Sequence, residues 1–204
     1  MAPWVYSFLT CSIGQKFLET FGVSKNISNI ATCVTFQLYF IYATFGLTYN
    51  EIFYGIRDVI GSRDNMGYLY GYFTYDLAQL LIKNDFSNNK GYIVHHVVSC
   101  IMLDLVISKK INHTLYQNAF LLVAEVSNPL INARILLKDY PTLKRYNKSA
   151  MKYSYFCFRV ILFPLFASEY LRQSELDIYN KHILAVLFAG IYSATVSWYL
   201  KIIS

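Results

Sequence analysis

KGYIVHHVVSCIMLDLVIS, residues 90–108, is long and apolar enough to cross a bilayer, yet it holds two adjacent histidines and an aspartate. A transmembrane helix needs about 20 predominantly apolar residues, and the window 91–108 comes close to that length. A charged side chain at mid-membrane costs about 2.5–3.5 kcal/mol on insertion scales. His95, His96 and Asp104 therefore need partners on other spans. Whether such spans exist, and what they carry, decides the fold.

The rest of the chain supplies them. Of its 204 residues, 55% are hydrophobic and only 15% charged, against roughly 25% charged in an average soluble domain. Mean hydropathy is +0.34. Six windows approach spanning length: 31–49, 66–82, 91–108, 114–137, 153–171 and 182–200. The expected fold is an all-α membrane protein of about six transmembrane helices. Residues 1–30 form a separate N-terminal segment and 31–204 the transmembrane domain. Within the former, PWVYSFLTCSIG (3–14) is too short to span and reads as interfacial or partly inserted; it lacks the pattern of a signal peptide.

With six spans, ten Lys and Arg residues fall on one side and six on the other, which predicts both termini in the cytoplasm. The cluster Lys138, Lys144, Arg145, Lys148 and Lys152 suits anionic headgroups. The basic residues flank spans and form no separate domain, so nucleic acid is not an expected partner. Cys11, Cys33, Cys100 and Cys157 have no metal or disulfide spacing and read as packing residues. Of three sequons, at Asn26, Asn112 and Asn147, only Asn112 falls on the expected lumenal side.

Polar residues recur inside the spans with helical spacing. Tyr72, Asp76, Gln79 and Lys83 share one stripe of the second span; Glu125, Asn128 and Asn132 share one of the fourth, with Arg134 roughly opposite. The fifth span holds Arg159 and, near its end, Glu169. Stripes on successive spans are accommodated by facing one another across a polar chamber. Pairing of Asp76 or Glu125 with Arg159 would also satisfy the charges. Adjacent helical residues diverge by about 100°, so one histidine should face the chamber and the other a neighbouring helix. The pair does not have the i, i+4 spacing of helical metal ligands, and no metal site is expected. An imidazole exchanges protons near neutral pH, so a proton-handling or nucleophilic role fits. The common nucleotide, serine-hydrolase and zinc-protease fingerprints are absent.

Three segments in order, GYFTYDLAQLLI (71–82), YIVHHVVSCIM (92–102) and VAEVSNPLINARILLKDYP (123–141), resemble the signature of the TLC domain family. The resemblance rests on Asp76, on His95 and His96, and on Glu125, Ser127, Pro129, Asn132 and Arg134; FRVILFP (158–164) resembles the family's arginine-bearing fifth span. It covers roughly residues 31–203. It implies a six-helix barrel around a lipid-accommodating cavity. Its enzymatic members, the ceramide synthases, transfer a fatty acyl group from acyl-CoA to a sphingoid amine at the histidine pair. Their longer fourth-span motif continues with His-Asp-x-x-Asp; here the region reads VAEVSNPLINA, the version of the smaller TLC-domain proteins.

The expectation is a multi-pass protein of the endoplasmic reticulum or a related membrane, acting on membrane lipids. As an acyltransferase it would move an acyl group to a lipid amine or hydroxyl, with acyl-CoA as co-substrate and no bound cofactor. His95 or His96 would be base or nucleophile, with Asp76 and Glu125 as orienting groups. Asn128, Asn132, Tyr72 and Arg159 would bind substrate. The rival is a non-catalytic lipid binder or regulator of lipid composition using the same cavity. A proton-coupled transporter ranks below both.

Overall fold

The apolar windows fold as helices, because a chain without water to satisfy its peptide groups must satisfy them within each segment. The computed structural model describes residues 2–82, 86–107, 114–174 and 176–203, with backbone alone for 86–89. Among the described residues there is no strand. The elements are α1 (Pro3–Thr20), α2 (Lys25–Tyr54), α3 (Val59–Ile82), α4 (Phe86–Ile107), α5 (Thr114–Glu125), α6 (Asn128–Leu136), α7 (Pro141–Ser154), a π-helical segment (Tyr155–Leu162), α8 (Phe163–Gln173) and α9 (Ile178–Ile203). Lys83, Lys109, Lys110 and the sequon at Asn112 lie outside the described residues.

Among the described residues, five stretches are long and apolar enough to cross a membrane: Lys25–Tyr54, Lys90–Ile107, Thr114–Leu136, Pro141–Gln173 and Ile178–Ile203. Only 22–39% of each of these windows is buried within the protein. Their remaining apolar faces point outward, as in a protein solvated by lipid. α3 has 24 residues but is not among the five. Its sequence includes Arg63, Asp64 and Asp76, and neighbouring helices cover much of its surface.

Around the molecule, α2 packs on α3, α3 on α4, α4 on α9, α9 on the α7–α8 column, that column on α5, and α5–α6 back on α2. The ring is closed. α1 lies against α2 and α3. The expected short interfacial segment is a regular helix of 18 residues, about 27 Å long. It runs parallel to α3, with Trp4 against Tyr70, Phe8 against Tyr75, and the Tyr75 hydroxyl 2.6 Å from Gln15 Oε1. Gly67 and Gly71 make this approach possible. A Cβ on Gly71 would stand 2.1 Å from the Trp4 carbonyl oxygen and 2.9 Å from Ser7 Cβ. Small residues at such spacing are a common seam between membrane helices.

Three local signals shape the ring. Gly55 ends α2 in the left-handed conformation (φ 65°), and the Ile56 N–H bonds back to the Asn50 carbonyl at 3.2 Å. The window 114–137 breaks at Val126–Ser127, because Pro129 has no N–H to give the Glu125 carbonyl one turn earlier. The column from Pro141 to Gln173 widens into π geometry over Tyr155–Leu162, and Arg159 sits in that widened turn. Such turns often occur at functional sites. At α7, Asn147 is buried and donates from Nδ2 to the Leu130 carbonyl at 2.9 Å, so its sequon is occupied by packing.

Candidate functional site

α3 and α4 run antiparallel, which sets the last third of α3 beside the middle of α4. There His96 Nε2 lies 2.9 Å from Asp76 Oδ2. On its other side Asp76 Oδ1 receives a long contact from Cys33 Sγ, 3.8 Å, across from α2. A carboxylate facing Nε2 holds the neutral ring as the Nε2–H tautomer, leaving the lone pair on Nδ1. The His96 Nδ1 atom is buried without a hydrogen-bond partner among the described residues. That is a proton acceptor oriented by an acid, the logic of an orienting aspartate in a catalytic triad.

His95 stands 5.4 Å from His96 between ring centroids and has no carboxylate partner among the described residues. Its ring meets the Trp198 edge at 5.6 Å and the Phe73 ring at 6.1 Å, and its Nδ1 is likewise buried and unpartnered. The two rings do not divide between the chamber and a neighbouring helix as expected: both line one cavity and both pack on Phe73 of α3, and His96 alone pairs with the α3 carboxylate.

A second polar cluster sits at the break between α5 and α6. Arg159 Nε donates to Ser127 Oγ at 2.8 Å, and Nη2 donates to Asn128 Oδ1. The Asn128 amide donates onward to Glu125 Oε2. Direct contact between Arg159 Nη2 and Glu125 Oε1 is only 4.0 Å, so Asn128 relays the pairing. The guanidinium carbon also lies 5.4 Å from the Tyr155 ring centre. Of the two pairings open from sequence, Glu125 with Arg159 forms; Asp76 takes His96 instead.

Tyr72 and Asn132 are joined through a residue the sequence reading did not select. Gln37 donates to the Tyr72 hydroxyl at 2.8 Å and accepts from Asn132 Nδ2 at 3.1 Å. Its signal was available: the one amide in the uncharged window 31–49. Trp198, Tyr92 and Tyr155 were also missed, because aromatic residues in spans do not announce which way they face. Asp104 and Glu169 take no part. Asp104 is exposed on α4, and Glu169 pairs with Arg172 on its own helix.

Two cavities meet at this cluster. The outer one has a volume of about 480 Å³, is floored by Asp76, His95 and His96, and opens past Arg134, Lys144 and Lys148. Arg134 was expected to face away from the polar stripe. It stands at the end of α6, where its long side chain reaches the opening. The inner cavity is apolar and about 60 Å³, walled by residues such as Met102, Phe120, Phe163 and Phe188. That is the volume of about two water molecules, so a longer alkyl chain requires these rings to rotate. Phe73, His95 and Arg159 line both cavities and form the partition.

Among known protein families, the TLC domain matches residues 28–204. No curated protein and no solved structure matches the chain.

Proposed function

The chain belongs to the TLC-domain family, and we propose that it transfers a fatty acyl group from acyl-CoA to a lipid amine or hydroxyl. The observation that carries this reading is the Asp76–His96 pair beside an unpaired His95, at the partition between a polar and an apolar cavity. An acyl thioester has the same division, with an apolar tail and a polar leaving group meeting at the carbonyl carbon. His95 at the partition is the nucleophile. Its ring nitrogen attacks the thioester carbonyl, the C–S bond breaks, and the departing thiolate takes the remaining ring proton of His95, leaving a neutral acyl-imidazole and the free thiol. The acceptor then attacks the acyl-imidazole, its proton passes to His96, and His96 returns that proton to the departing His95 ring, so both histidines are regenerated. Asp76 stabilises the imidazolium formed on His96. The Glu125–Asn128–Arg159 cluster holds the partition in shape.

The basic end of the bundle is assigned to the cytoplasm by its charge, in a membrane of the endoplasmic reticulum type. The C terminus lies at that end. The parallel course of α1 and α3 points the N terminus towards the opposite face, so the cytoplasmic assignment is kept for the C terminus alone.

The test is intact-protein mass spectrometry with acyl-CoA, first without and then with a lipid acceptor. Wild type should gain one acyl mass and release it to the acceptor. His95→Gln should gain none, and His96→Gln should gain it but discharge slowly. A wild-type protein that neither gains acyl mass nor turns over across a broad acceptor panel refutes catalysis and leaves the lipid-binding reading.

A further inference from the structure

The outer cavity is electrically polarised along its depth. Its opening carries Arg134 at the end of α6 and Lys144 and Lys148 on α7, all exposed, with Lys201 of α9 beside them. No ion pair among the described residues takes up Arg134, Lys144 or Lys148. Asp76 is the one carboxylate among the lining residues, and it lies at the floor.

Helical spacing gives the separation. Trp198, which touches His95, is three residues before Lys201, and Tyr155 of the cavity wall is seven after Lys148. At 1.5 Å per residue the basic groups stand about 5–10 Å above the imidazoles.

The composition of the opening suits headgroup depth. α7 exposes Leu143, Tyr146 and Tyr153 together with its lysines, the aromatic and basic mixture that settles at a membrane interface.

We infer that the outer cavity takes the headgroup of a phospholipid ending in a primary amine, its phosphate on Arg134, Lys144 and Lys148 and its ammonium directed inward to Asp76. Cation outside and anion inside match a ligand whose phosphate precedes its amine. A sphingoid base has the amine but leaves the basic opening without a counter-charge. A choline headgroup matches the charges but has no N–H to donate to the Asp76 carboxylate. The fate of the amine rests on the acyl-transfer reading; the occupancy of the cavity does not. In that reaction the ammonium first loses one proton to water at the cavity opening; the neutral amine nitrogen then bonds to the acyl carbon as the acyl–imidazole bond breaks, and its second proton passes to His96, which hands it to the departing His95 ring.

The test uses the full chain in nanodiscs of phosphatidylcholine with a long-chain acyl-CoA and either phosphatidylethanolamine or sphingosine. Phosphatidylethanolamine should be N-acylated in preference. The double variant Lys144→Gln/Lys148→Gln should raise its KM by at least about tenfold, the effect of one charge-assisted hydrogen bond, with KM for acyl-CoA unchanged. If KM for acyl-CoA rises instead, the phosphate at the opening belongs to the donor and the inference is overturned. Acylation of sphingosine but not phosphatidylethanolamine also overturns it while leaving acyl transfer standing. If no acceptor is acylated, the functional reading fails and native mass spectrometry decides the headgroup. Retention of phosphatidylethanolamine over sphingosine, lost in the double variant, supports the site; equal retention overturns it.

Discussion

Replacing Arg159 with Met keeps most of the side-chain volume and removes the cation from the α5–α6 break. Arg159 is 4% exposed and Glu125 3%, so the carboxylate left behind has no water to solvate it. Removing one partner of a buried pair costs about 3–5 kcal/mol. Here the lower part of that range applies, because Asn128 still donates to Glu125 while the direct charge contact was only 4.0 Å. The double variant Arg159→Met/Glu125→Gln removes the stranded charge. It leaves the Ser127 hydroxyl and the Asn128 carbonyl without their arginine donor. The Ser127 hydroxyl, in the turn before α6, can bond to nearby backbone instead, which confines the penalty to one acceptor, about 1–2 kcal/mol. The double variant should therefore be more stable than Arg159→Met alone. The assay is unfolding in mixed micelles with increasing denaturing detergent, followed by circular dichroism and read as a double-mutant cycle. If Arg159→Met costs less than about 1 kcal/mol, or the two substitutions simply add, the relay through Asn128 is not a buried charge pair. A double variant that is stable yet inactive would show that the cluster also shapes the reacting carbonyl's surroundings.

Asp76→Asn keeps an oxygen for His96 Nε2–H but removes the charge that stabilises the imidazolium. Turnover should fall roughly 10²-fold or more with the melting curve little changed, and an unaltered rate would rule out Asp76 as the orienting acid. Gly71→Leu forces atoms to within 2.1 Å of the Trp4 carbonyl, which no rotamer can relieve, and should cost at least about 1–3 kcal/mol; unchanged detergent stability would mean that α1 is not seated on α3. In sealed membrane vesicles with the cytoplasmic face outward, a C-terminal tag should be cut by protease and an N-terminal tag protected. Cleavage of both would show that α1 does not carry the chain across.

The apolar spans and the polar stripes were legible because each is a property of one helix. Apolar length and a repeat near 3.6 residues depend only on neighbours along the chain, whereas the break at Val126–Ser127 is not read from them and 114–137 reads as one span. Asp76, His95, His96, Glu125 and Arg159 could be selected on that basis, and each lies in or against the two cavities. Their partners could not be chosen from sequence. Whether Asp76 meets Arg159 or His96 depends on the rotation and depth of α3 against α4, and those follow from close packing around the whole ring. Gln37 and Trp198 became part of the site for the same reason. The reach of Arg134, and the gathering of α6 and α7 cations at one opening, depend on where the columns end relative to one another. α1 shows the point most plainly. Its sequence suggests a short apolar segment, but two glycines on α3, more than fifty residues away, remove the side chains that would have kept it at a distance.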